Sequence, residues 1–190
     1  VFTALLDTSV LWPSLQRDFL LSLAIEGLYR PVWSSAILEE LEFHEAAKLT
    51  NRGTLPADAD QRAQRLIEQM KTGFDDAEVI GWEPLEGTFD LPDPDDEHVA
   101  AAAVIARAGA IVTSNLKDFP ADKLPADLQA LPPAEFALNT VSVDPLRSLR
   151  AVEAIAARSG HSGEKWTVND VLDRLETRYS MTEAVDLIRS

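Results

Sequence analysis

The sequence predicts a three-layer α/β sandwich, a mainly parallel central sheet flanked by helices, with a helical C-terminal extension. Short apolar runs alternate with longer segments of helical periodicity, at the spacing of strand–helix–strand units. A hydrophobic fraction of 46% over 190 residues suits one packed core and leaves little room for disorder. From Pro132 onward the strand signal fades and the pattern turns largely helical, which divides the chain into an α/β unit over 1–139 and an extension over 140–190.

Val1 to Leu6 reads as a buried strand ending at Asp7. Helical periodicity follows from about Leu11 to Glu26, with Pro13 in the first turn and Gly27 as the stop. Tyr29 to Trp33 is a short extended piece, although it contains Pro31. Ser34 or Ser35 caps a helix reaching about Leu49, and Asn51 to Pro56 is loop. Asp58 to Lys71 is a polar helix whose apolar positions are Ala59, Ala63, Leu66, Ile67 and Met70. Val79 to Leu85 is strand-like, interrupted by Gly81.

Asp93-Pro94-Asp95-Asp96 starts the next helix: an Asp cap, Pro in the first helical position, and acids in the positive first turn. That helix stops at Gly109, before the apolar strand Ala110 to Thr113 and the polar loop Ser114 to Pro120. A helical turn or more is expected over Ala134 to Leu138. Helices are expected over Pro145 to Arg158, Thr167 to Tyr179 and Thr182 to Arg189. This extension either packs on the α/β unit or grips a partner.

Composition narrows the function. No stretch approaches the roughly 18 consecutive apolar residues of a membrane span. The start lacks the basic head and long apolar core of a signal peptide, so a cytoplasmic protein is expected. The missing initiator Met points to a trimmed or processed start. With no cysteine there is neither a disulfide framework nor a thiolate metal site. The formal net charge is −15, yet the segment from Thr140 is close to neutral, with 7 basic and 8 acidic residues. Between Thr72 and Ala106 stand ten acidic residues and no Lys or Arg. Most of these acids belong to a solvated surface, and such charge opposes general nucleic-acid affinity.

A few of the acids have a second reading. In open α/β sheets functional groups gather at the carboxyl ends of the strands. Asp7 terminates the first strand, either turning into solvent or acting as the first ligand of a metal. Asp118 leaves the strand Ala110 to Thr113, with Asn115 and Thr113 just before it. Asp96 shares its helix start with Asp93 and Asp95, more acids than capping needs. Glu40 lies in the second helix among Glu39, Glu42 and Glu45. Carboxylates drawn from separate elements suit a hard cation such as Mg²⁺ or Mn²⁺, whose chemistry is attack of water on phosphorus.

Four segments together resemble one family. They are Leu5-Leu6-Asp7-Thr8-Ser9-Val10-Leu11; Ser35-Ala36-Ile37-Leu38-Glu39-Glu40-Leu41; the run from Leu91 through Asp93, Asp96 and His98 to Ala102; and Ile111-Val112-Thr113-Ser114-Asn115-Leu116-Lys117-Asp118-Phe119-Pro120. In this order they resemble the motifs of PIN domains, including VapC-like toxins, and the resemblance covers roughly Val1 to Leu138. It implies a PIN-like fold and an endoribonuclease using Mg²⁺ or Mn²⁺. It also implies an RNA substrate, a small cognate antitoxin as partner, and a homodimer. Asp7, Glu40, Asp96 and Asp118 take the acidic ligand positions, Asn115 the polar position that shares the site, and Asp93 stands in reserve. Glu39 is the alternative to Glu40 by one residue of register. Glu97 places a negative charge where many relatives carry a basic residue.

Other readings compete. The same fold could serve as a binding module without catalysis, docking a protein partner through its acidic face. A receiver domain lacks its adjacent acid and later strand-end Lys. Zinc clusters, a Gly-rich phosphate cradle and a Gly-x-Ser-x-Gly elbow are absent. His98 is either a carboxylate-orienting or substrate-contacting residue, or a surface or core histidine; His44 and His161 have no ligand spacing. Lys48, Arg52, Lys117 and Lys123 are the basic residues nearest the expected site. Trp12 and Trp33 lie near its elements, where they are core anchors or base-stacking surfaces.

Overall fold

A computed structural model describes all residues, Val1–Ser190. Five strands form one sheet: β1 (Thr3–Leu6), β2 (Arg30–Ser34), β3 (Glu78–Val79), β4 (Ala110–Val112) and β5 (Gln129–Leu131). Their order is β3-β2-β1-β4-β5 and every pairing is parallel. Leu5 pairs with Val32 on one side and Ile111 on the other, so β1 lies at the centre. The chain builds outward from β1 to β3, then returns to start β4 on the opposite flank. Strand order therefore reverses between β1 and β4, and the crevice beyond their carboxyl ends is where such sheets place function.

Pro31 sits in β2 without breaking the sheet. Arg30 N–H bonds back to Phe2 O, while β3 reaches only Trp33 and Ser34. Pro31 therefore falls where no neighbour asks for its missing N–H. The expected strand over Val79 to Leu85 shrinks to Glu78–Val79. Gly81 turns the chain with a φ of 80°, and Glu83–Leu85 forms a 3-10 turn around Pro84. The short edge strand β5, hemmed by Pro125 and Pro132, had no legible signal in the sequence.

The first expected helix is two. α1 (Thr8–Leu11) begins directly on Asp7, which caps it, and α2 (Ser14–Ile25) restarts after Pro13. Pro13 has no N–H to continue the helical ladder, so the axis breaks there. Gly27, at φ 76°, ends the turn after α2. α3 (Ser35–Asn51) is capped by Ser34 Oγ, which accepts from Ile37 N–H at 3.2 Å. It packs against α4 (Pro56–Gly73), whose Ala59, Ala63, Ile67 and Met70 are buried at helical spacing. α5 (Glu97–Ile105) packs on β1, β2 and β4, and Ala100 to Ala103 are fully buried. Four consecutive small side chains let this helix sit close to the sheet.

The extension packs on the α/β unit. α6 (Pro133–Val143) is longer than expected and runs through the 139/140 division. Asp144 then caps α7 (Pro145–Arg158) by accepting from Arg147 N–H at 3.0 Å. α8 (Val168–Tyr179) opens with a reciprocal capping box between Thr167 and Asp170, and α9 (Thr182–Arg189) closes the chain. α7 lies along α2, joined by Arg158–Asp18 at 2.7 Å and Arg150–Glu26 at 3.1 Å. These exposed ion pairs add little. The burial of Val152, Ile155, Leu172, Leu175 and Val185 in the same apolar core as the sheet adds far more, about 1.5–3 kcal/mol per large side chain.

Candidate functional site

Asp7 is the anchor of the crevice. Its backbone N–H bonds to Val112 O at 3.0 Å, which ties it to β4, and the residue is only 5% exposed. Its carboxylate accepts from Thr8 N–H at 2.8 Å, Ser9 Oγ–H at 2.9 Å and Thr113 Oγ1–H at 2.8 Å. Ser9 Oγ in turn accepts from Ser114 N–H, and Thr113 Oγ1 from Asn115 N–H, each at 3.0 Å. The loops after β1 and β4 are thus laced together around one carboxylate. Burial pushes the Asp7 carboxyl above its ordinary range, against these three hydrogen bonds, and the charge of Glu40 adds to the rise.

Thr8 links Asp7 to Glu40: its N–H bonds the first and its hydroxyl donates to Glu40 Oε2 at 2.7 Å. The other oxygen, Glu40 Oε1, lies 2.9 Å from Nε2 of the buried His98. Burial works against the Glu40 charge, but the bonds from His98 and Thr8 hold its pKa below the ordinary value. His98 itself is raised: burial lowers it, and Glu40 more than reverses that. Glu39, by contrast, faces a separate groove with Phe43 and Asp60. The rotation of α3 on the sheet therefore selects Glu40 for the crevice.

Asp96 ends a 3-10 turn, Pro94–Asp96, that leads into α5. Its pKa is pushed up to about 6, first by burial and then by the charges of Asp7, Asp118 and Asp93, with His98 opposing. Asp118 sits at the end of another 3-10 turn, Leu116–Asp118, outside the cleft lining but close enough to act on Asp96. The cleft has a volume of about 450 Å³ and includes Asp7, Glu40, Asp96 and Asn115 in its walls. Asn115 is exposed at its mouth. No three His, Asp or Glu side chains are spaced to hold an ion as they stand. The oxygens of Asp7 and Glu40 are occupied by hydroxyl, amide and imidazole donors instead.

Other expectations are corrected. The negative charge of Glu97 turns inward, where it accepts from Phe89 N–H at 2.8 Å and Leu91 N–H at 3.0 Å and pins the loop before α5. None of the four basic candidates lines the cleft. Lys48 pairs with Glu45 at 2.6 Å and Lys123 with Asp90 at 2.6 Å. Trp33 is fully buried, whereas Trp12 lines the cleft, as does His44. His44 stands four residues after Glu40 on the same face of α3, a helical spacing that is the sequence signal for its place in the cleft. Thr8 and Ser9 adjoin Asp7 in the sequence, but only the fold shows that the Ser9 hydroxyl and the Thr8 N–H hold Asp7 while the Thr8 hydroxyl reaches Glu40.

Residues 3–117 match the PIN domain family, and the chain belongs to that family. The match covers β1 to the loop before Asp118, the part that builds the crevice. A 49-residue stretch, 25% of this chain, is 51% identical to a protein of Mycobacterium tuberculosis (strain ATCC 25618 / H37Rv) named "Putative ribonuclease VapC50". The stretch covers 29% of that relative's length. No solved structure matches the chain.

Proposed function

We propose that the chain is a VapC-like endoribonuclease that hydrolyses RNA phosphodiester bonds with Mg²⁺ or Mn²⁺. The observation that carries the reading is the gathering of Asp7, Glu40 and Asp96, with Asp118 acting on Asp96, where the strand order reverses. The donor set is all oxygen, and the Asp96 carboxyl is raised by burial and then by its acidic neighbours, with only His98 opposing; both suit a hard divalent cation. Asp7, Asp96 and Asp118 would hold it, with Glu40 a ligand directly or through water. Such a cation supplies a nucleophile at neutral pH and neutralises charge developing on phosphate oxygens.

The remaining residues prepare that site. Thr8, Ser9 and Thr113 fix the orientation of Asp7, and His98 fixes Glu40. Asn115 presents an amide at the cleft mouth to the substrate. Residues 1–139 carry the nuclease, and 140–190 buttress it through α2. The VapC-like reading extends to a toxin of the cytoplasm, a small antitoxin partner and a homodimer. No helix is long and apolar enough to cross a membrane. Asp7→Asn and Asp96→Asn should each abolish Mg²⁺-dependent cleavage of RNA while the circular dichroism stays native. Cleavage that survives both substitutions overturns the reading. A PIN fold that only binds a protein partner is the second reading, favoured by a cleft without Lys or Arg. It predicts no heat of binding with millimolar Mg²⁺ or Mn²⁺.

A further inference from the structure

Trp12 is the one apolar residue among those lining the acidic cleft. It is 42% exposed, while Trp33 is fully buried and Trp82 nearly so. Exposure here does not mean freedom. Trp12 ends α1, just before the break at Pro13, and its indole Nε1–H donates to His44 O at 3.4 Å. Lys48 Nζ bonds Trp12 O at 3.2 Å and lies 5.6 Å from the ring centroid. Lys48 is held in turn by Glu45 at 2.6 Å and Ser14 Oγ at 2.9 Å. A large aromatic ring is therefore fixed at the wall of a polar cleft with much of its surface in solvent.

The charges around it say what it is for. Nucleic-acid affinity ordinarily comes from basic side chains on phosphates. No Lys or Arg lines this cleft, and Lys48, beside the ring, is paired with Glu45. Inside the cleft, beyond any cation held by the carboxylates, the lining offers RNA mainly uncharged contacts. Base stacking on an aromatic ring is the strongest of these. A base inside a duplex is already stacked and paired, and A-form RNA offers a protein mainly its backbone and a shallow groove.

We propose that Trp12 is a stacking platform for one unpaired base of the RNA in the cleft. This rests on the nuclease reading above, and the two can fail separately. The test uses a single-stranded RNA oligonucleotide and the same strand in a duplex, with Ca²⁺ in place of Mg²⁺ or Mn²⁺ so that binding is read without turnover. Both are titrated onto the intact protein and its Trp12→Phe, Trp12→Leu and Trp12→Ala variants.

The wild type should bind the single strand in preference to the duplex, with tryptophan quenching that is lost in Trp12→Phe. Trp12→Phe keeps a π face and should bind within about threefold of wild type. Trp12→Leu and Trp12→Ala should weaken binding by about tenfold or more. With Mg²⁺ or Mn²⁺ restored they should raise KM and leave kcat nearly unchanged. The Phe and Leu pair decides the matter even where the Ala variant folds poorly. Equal binding by Phe and Leu variants, or duplex bound as tightly as single strand, overturns the proposal. Cleavage that dies with Asp7→Asn while Trp12 variants bind unchanged leaves the nuclease standing and removes the platform. Trp12-dependent binding without any cleavage does the reverse.

Discussion

At the scale of single residues, Asp96 carries the clearest electrostatic strain. Its pKa of about 6 lies above the ordinary 3.8, so the native state binds this proton more tightly than the unfolded chain. The stability it contributes is full at low pH and is lost as pH rises through about 6. Without metal, wild type should lose about 1 kcal/mol relative to Asp96→Asn across that window, the shift being discounted for partial exposure. Denaturant unfolding at a series of pH values measures it. A difference that stays flat with pH would contradict the cluster. Thr113→Val removes one of the hydroxyls holding Asp7 and should lower cleavage about 10- to 100-fold with the fold intact. Asp7 and Asp96 were legible as a strand end and an over-supplied helix start. The choice of Glu40 over Glu39 was not, because it depends on how α3 is rotated against the sheet.

At the scale of elements, the site is held in place by short pieces with specific duties. Glu97 shows this most plainly: its buried carboxylate accepts two loop N–H groups and so sets where Asp96 enters α5. Glu97→Ala should cost about 2–3 kcal/mol, since bonds to a charged acceptor are strong and both N–H groups lose their partner. Glu97→Gln, which keeps one acceptor, should cost less; chemical denaturation distinguishes the two. The sequence marked Glu97 only as a charge beside Asp96, for nothing local says whether a first-turn acid points in or out. Helices of clear periodicity, such as α4 and α7, were legible because their own residues determine the buried face. β3 was legible only at Val79, and β5 not at all, being two or three residues whose strand character comes from the neighbour they pair with. Pro13 reads in the sequence as part of a helix's first turn, whereas in the fold it separates α2 from α1, and the cap that starts α1 early is Asp7 itself.

At the scale of the whole molecule, the helical extension and the PIN-domain part share one apolar core. Ile155, buried on the α7 face, tests this: Ile155→Ala should destabilise the protein by about 2–4 kcal/mol and leave a single unfolding transition. Two separate transitions would show that the extension is an independent unit. The overall parallel α/β plan was readable from alternation alone, whereas the packing of the tail on α2 needed both apolar faces in view. The strongly negative charge poses the same question at the site, where Asp7, Glu40 and Asp96 line a cleft without Lys or Arg, Asp118 acts on Asp96 from outside the lining, and a need for counter-charge follows. Calorimetric titration of Mn²⁺ into the wild type and into Asp7→Asn, Asp96→Asn and Glu39→Gln tests that need most directly. Wild type and Glu39→Gln should bind alike, and the two Asp variants at least about tenfold more weakly. Mn²⁺ binding that is absent from the wild type, or unchanged in the Asp variants, would contradict it.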